Sequence, residues 1–176
     1  AGDMRPLAEK WHNDDRTFLM PQAAHNRWYP QTAFGPLEVN EPDLSSALNM
    51  ITRLINDLID KGIPRERIFL GGFSQGACLA AEYAARNPHR YGGIFVLSGA
   101  LIGPPDQERL PAASLRGTPV FLGCSDSDPW IPYGLVQKSA AFFRVSDADV
   151  DLRIYPGMGH TINEDELQAV KDMLSR

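Results

Sequence analysis

A doubly wound α/β fold, a mostly parallel sheet flanked by helices, is predicted by three observations. Short apolar runs without alternation recur along the chain, and helical patterns with three- and four-residue apolar spacing lie between them. Neither a linker nor an internal repeat interrupts that order, so residues 1–176 are expected to form a single domain.

Taken in order, helical patterns lie around residues 3–12, 43–61, 75–87, 133–143 and 163–175. The clearest is the second, where Leu44, Leu48, Ile51, Ile55, Leu58 and Ile59 repeat along one face; Asp43 is placed to cap its start and Gly62 to end it. Ile68-Phe69-Leu70, Ile94-Phe95-Val96-Leu97 and Val120-Phe121-Leu122 read as strands buried on both faces. Residues 17–20, Thr17-Phe18-Leu19-Met20, read as a further strand, and residues 150–155 alternate as an edge strand would. Two connections are long, residues 21–42 and residues 99–118, and loops of that length in a compact domain are usually functional or mobile.

Composition excludes several classes. With 176 residues, 43% of them hydrophobic, the chain is neither disordered nor fibrous. Folding a chain of this size buries roughly two thirds of its unfolded surface, enough for a core without metals or disulfides. Cys78 and Cys124 are the only cysteines, which rules out a disulfide scaffold and favours a reducing, cytoplasmic compartment; both are expected to be buried small residues. The net charge of −5 and the dispersed lysines and arginines argue against nucleic acid as a partner. No run approaches about 18 apolar residues, so no membrane-spanning helix is expected. No His/Asp/Glu cluster has ligand spacing, so no metal is expected.

Ligands of such sheets bind beyond the carboxyl ends of the strands, so the residues after each apolar run carry the functional reading. The first buried run leads into Gly71-Gly72-Phe73-Ser74-Gln75-Gly76 and then the small-residue helix Ala77-Cys78-Leu79-Ala80-Ala81. This is a G-x-S-x-G nucleophile elbow in its strand–turn–helix context. Strand and helix approach closely around a strained serine, and Gly72 and Gly76 are expected to remove side chains that would collide there. Serine needs a base, and the base an orienting acid, in that fold following in the order acid then histidine. Asp126 and Asp128 follow the Val120 run; Pro156-Gly157-Met158-Gly159-His160 follows the last strand. His160 is the only histidine beyond either aspartate. His12 and His89 are expected to be ordinary surface or capping residues, and His25 lies in the long loop.

The elbow Gly72-Phe73-Ser74-Gln75-Gly76, the stretch Asp126-Ser127-Asp128-Pro129-Trp130-Ile131-Pro132, the turn Gly157-Met158-Gly159-His160 and Ser98-Gly99-Ala100-Leu101 resemble the phospholipase/carboxylesterase family, which includes acyl-protein thioesterases. The similarity extends over essentially the whole chain. It implies an α/β-hydrolase fold without a large cap domain, acting on carboxylic esters or thioesters without a cofactor. It also implies that Asp128, directly before the Pro-x-x-Pro stretch, is the acid, leaving Asp126 to shape the loop. Family members carry a strand and a His-Gly-x-Gly type oxyanion loop before the first helix. This sequence opens at Ala1-Gly2-Asp3, with the residues that should follow that loop, so such a segment is expected to precede them in the working protein.

The expected reaction is hydrolysis through an acyl-enzyme on Ser74, with His160 as base, Asp128 as orienting acid and the Gln75 backbone N–H as one oxyanion donor. Trp28, Tyr29, Leu101, Ile102, Trp130 and Met158 are candidate lining for the acyl group of a small or medium ester. The competing reading is a non-catalytic ligand-binding module that retains the fold.

Overall fold

The three unalternating runs form three strands of a four-stranded parallel sheet in the computed structural model, which describes residues 4–13 and 15–176. β1 (Phe69–Phe73), β2 (Gly93–Leu97), β3 (Pro119–Ser125) and β4 (Asp149–Tyr155) lie side by side in chain order. Every residue of β2 and β3 is buried, which is why their sequences lack alternation. β4 forms one sheet edge, as its pattern predicts, and carries Asp149, Asp151 and Arg153, charges that discourage pairing with another chain.

Among the described residues, five helices cover the sheet: α1 (Arg5–Trp11), α2 (Asp43–Asp60), α3 (Gln75–Arg86), α4 (Tyr133–Val145) and α5 (Glu164–Leu174). Alternate strand residues point to opposite faces and separate two cores. Ile94, Val96, Val120 and Leu122 pack with Leu44 and Ile55 of α2, Ala77 and Ala81 of α3, and Val136 and Phe143 of α4. Phe95, Leu97 and Phe121 pack on the other face with Trp11 of α1 and Leu167, Val170 and Met173 of α5. The Trp11 indole meets Phe95 edge-on and donates to the Leu167 carbonyl at 3.0 Å.

Two local expectations are corrected. Residues 17–20 form no strand: a β pattern needs a neighbouring backbone to bond, and among the described residues β1 pairs only with β2. Phe18 packs instead against the core beneath α5. Asp43 is the first helical residue of α2 rather than its cap. Glu41 takes that role, its carboxylate accepting from the Ser45 backbone N–H at 3.0 Å and the Ser45 hydroxyl at 2.9 Å. Gly62 does end the helix region, at φ +83°.

The approach of α3 to β1 is close because of one glycine rather than two. A Cβ on Gly72 would lie 2.6 Å from the Gly76 carbonyl carbon and 2.9 Å from the Ala77 nitrogen. A Cβ on Gly76 would find nothing nearer than the Trp28 indole nitrogen at 3.8 Å, so that position is open rather than crowded. Ala77 is required to be small from the other side, since a Cβ on Gly99 would lie 2.6 Å from its methyl. Gly72→Ala should therefore lower stability by about 1–3 kcal/mol through overpacking, whereas Gly76→Ala should leave the urea midpoint nearly unchanged. Equal midpoints for both variants would show that strand and helix separate freely.

Candidate active site

Ser74 follows β1 directly and stands at the N-terminus of α3 with φ 55° and ψ −123°, a conformation that L residues rarely adopt. Its backbone is held on both sides: the Ser74 N–H donates to the Leu97 carbonyl at 2.9 Å, and its carbonyl accepts from the Cys78 N–H at 3.0 Å. The sharp turn lifts the hydroxyl above the sheet end. There Ser74 Oγ lies 2.9 Å from His160 Nε2, and His160 Nδ1 lies 2.7 Å from Asp128 Oδ2. With its proton on Nδ1 and donated to Asp128, the neutral imidazole presents Nε2 as an acceptor for the serine O–H. The three side chains come from residues 74, 128 and 160, each just past the carboxyl end of a different strand.

The surroundings hold this geometry. The Asp128 side chain is buried, and its Oδ1 accepts from the backbone N–H groups of Trp130 at 2.9 Å and Ile131 at 3.0 Å. Burial alone would raise its pKa, but hydrogen bonds from His160 and those two backbone groups outweigh it and hold the carboxyl below its ordinary value. The Cys124 thiol lies 4.0 Å from Asp128 Oδ2. The His160 ring also rests against Phe73, centroid to centroid 4.8 Å. Its turn is pinned by two β3-end residues: Ser125 Oγ accepts from the Gly159 N–H at 3.0 Å, and Asp126 Oδ1 accepts from the Gly157 N–H at 2.8 Å. Gly157 and Gly159 both have positive φ, 65° and 76°, which explains glycine at those two positions.

The candidate lining residues divide. Tyr29 and Ile102 are fully buried in the core, and Leu101 is nearly so. Trp28 is half-buried beside the open flank of Gly76, Met158 is half-buried in the His160 turn, and Trp130 is 71% exposed next to Asp128. Sequence reading missed the struts that hold the two long loops. The Gln75 side chain accepts from the Trp28 N–H at 2.7 Å and donates to the Tyr29 carbonyl at 2.9 Å. Buried Glu82 accepts from the Ile102 N–H at 3.0 Å and from Arg109 at 2.9 Å, tying residues 99–118 to α3. An i,i+4 Glu82–Arg86 pair was visible in the sequence; the Arg109 partner, 27 residues away, carried no signal.

Residues 13–176 match the phospholipase/carboxylesterase family. The chain belongs to that family. Among curated relatives, acyl-protein thioesterase 1 of Kluyveromyces lactis is 37% identical over 143 residues, covering 78% of this chain, and that of Saccharomyces cerevisiae is 34% identical over 141 residues, covering 79%. The chain spans 62% of the length of each of these relatives. The crystal structure of a phospholipase/carboxylesterase from Dyadobacter fermentans superposes with a TM-score of 0.83 at 40% identity, over 89% of this chain and 75% of that one. Arabidopsis thaliana SOBER1 shares the fold, with a TM-score of 0.78 at 21% identity over 99% and 91% of the two chains. The family's α/β-hydrolase architecture is therefore that of this chain. Among the described residues, no helix is long and apolar enough to cross a membrane, and no group of three His, Cys, Asp or Glu side chains is arranged to hold a metal.

One buried acid on α5 has a pH signature. Glu166 of α5 completes a capping box with Asn163: its Oε2 accepts from the Asn163 N–H at 2.9 Å, and Asn163 Oδ1 accepts from the Glu166 N–H at 2.9 Å. Its Oε1 is buried against Gly123 without a hydrogen-bond partner. Burial pushes the carboxyl from 4.5 up to about 7, against the lowering effect of the Asn163 N–H. Between those values the native state keeps a proton that the unfolded chain has lost. The stability it confers is complete below pH 4.5 and is lost as pH rises through about 7. Glu166→Gln should flatten that decline, removing a pH-dependent difference of about 3 kcal/mol. Parallel stability-versus-pH curves for the two proteins, measured by urea unfolding, would show that no such proton is held.

Proposed function

We propose that the protein is a serine hydrolase that cleaves carboxylic esters and thioesters of small to medium acyl groups through an acyl-enzyme on Ser74. The observation that carries this reading is the unbroken pair of contacts from Ser74 Oγ to His160 Nε2 and from His160 Nδ1 to Asp128. Ser74 Oγ attacks the acyl carbon while its proton passes to Nε2, and Asp128 holds the tautomer and stabilises the imidazolium. The oxyanion receives the Gln75 N–H, one of the first-turn donors of α3 that have no intrahelical acceptor. His160 then protonates the departing alcohol or thiol, and afterwards takes a proton from the water that attacks the acyl-enzyme and regenerates Ser74. The relatives named acyl-protein thioesterase 1 support a thioester, and the phospholipase/carboxylesterase description of the family supports an oxygen ester, including lipid acyl esters. Trp28, Met158 and Trp130, standing beside the serine helix, the base and the acid, support an apolar acyl group.

Folded protein should be labelled by a fluorophosphonate on Ser74, and Ser74→Ala should abolish both labelling and hydrolysis of p-nitrophenyl esters. Uptake of no label by the folded protein would leave a non-catalytic binding module. Asp128→Asn, nearly isosteric, should lower kcat by roughly 10⁴-fold, because the imidazole loses the partner that fixes its proton on Nδ1. A loss under about tenfold would show that another group orients the base.

A further inference from the structure

At the end of the sheet opposite Ser74, the segments entering β1, β2 and β3 meet around a groove of about 320 Å³. Its lining includes Arg65 from the turn before β1, His89 and Arg90 from the turn before β2, and Arg116 from the turn before β3. One carboxylate, Glu66, shares the lining, so three guanidiniums leave an excess of two positive charges on a chain whose net charge is −5. Among the described residues, Arg65, Arg90 and Arg116 have no carboxylate within ion-pair distance, whereas Arg86, Arg109 and Arg153 do.

The cations are presented on a built frame. Arg116 sits in the left-handed region at φ 52°, its N–H donating to Ser114 Oγ at 2.8 Å, and that hydroxyl in turn donates to Asp147 at 2.7 Å. The following N–H, of Gly117, donates to the Asp147 carbonyl at 2.6 Å, and Arg90 donates to the Gly117 carbonyl. On the neighbouring turn, the Tyr91 N–H donates to Thr118 Oγ1 at 3.0 Å, and the His89 ring meets Tyr91 edge-on. Three guanidiniums line one groove, and guanidinium forks match the oxygens of a phosphate group.

We propose that this groove is an anion-binding site for a phosphate group, carried by a free phosphate compound or by a lipid headgroup, remote from the catalytic end of the sheet. The state of His89 agrees: burial and the charges of Arg65 and Arg116 lower its pKa, the direction expected where positive charge awaits a counter-ion. Arg90 and Glu66 are the other charged groups in its lining.

The test is an NMR titration of His89 in the folded protein with inorganic phosphate, against chloride at matched ionic strength. Phosphate should shift the His89 resonances saturably and raise its pKa, with chloride doing neither. The double variant Arg65→Gln/Arg116→Asn, which keeps a residue tolerant of positive φ at the second position, should weaken that response at least about tenfold. Its thermal unfolding and ester hydrolysis should match those of the parent. In a second arm, sedimentation with phosphatidic acid/phosphatidylcholine vesicles but not with phosphatidylcholine alone, lost in the double variant, identifies a lipid source; saturable phosphate binding without sedimentation identifies a free compound. No response in either arm, or equal responses to chloride and phosphate, overturns the proposal. So does a double variant that folds normally and responds like the parent.

Discussion

The close passage of α3 over β1 at Gly72 is the constraint on which the site depends. With no Cβ at that position, the Gly76–Ala77 backbone can come within contact of the strand, and the chain must reverse within one residue. That residue is Ser74, and its φ of 55° is the strain that results, offset by backbone bonds to Leu97 and Cys78. The hydroxyl is thereby displayed at a fixed height above the sheet, facing the turn that carries His160. The same reversal leaves the first N–H groups of α3 directed at the space beside the hydroxyl.

Three buried carboxylates illustrate how differently this fold treats the same group. Asp128 is surrounded by donors and stays charged, as an acid holding an imidazole must. Glu82 is offset by two arginines and a backbone N–H, and spends its charge on anchoring the 99–118 loop. Glu166 has a single backbone donor to its carboxyl and is driven towards the neutral form, so it caps α5 as a protonated group over much of the acidic range. Burial is common to all three; for Asp128 and Glu166, the number of donors around the carboxyl decides which way it shifts.

Local chemistry explains which parts were legible in the sequence. The five helices announced themselves by periodicity, the buried strands by short apolar runs without alternation, and the elbow, the aspartate and the histidine by their place after predicted strands. Residues 17–20 misled because apolar and β-prone composition states a preference for pairing but not the presence of a partner. Asp43 misled because a cap is defined by which carboxylate reaches the first-turn N–H groups, and Glu41 reaches them first. Gly76 was assigned a steric duty that Gly72 alone carries between α3 and β1, a distinction of angstroms that spacing does not encode. Tyr29 and Ile102 were read as lining because they lie in long loops, yet both turn into the core.

What could be read along the chain was the sheet-and-helix order and the identity of the three residues in contact at the strand ends, since both follow from short-range pattern and strand-end position. The contacts between distant segments could not: Gln75 bracing the 28–29 backbone, Ser125 and Asp126 holding the His160 turn, and the arginines gathered from three separate turns at the far end of the sheet. Each joins residues whose separation in sequence carries no periodic signal, and only the packing of parallel strands side by side brings their ends to one place.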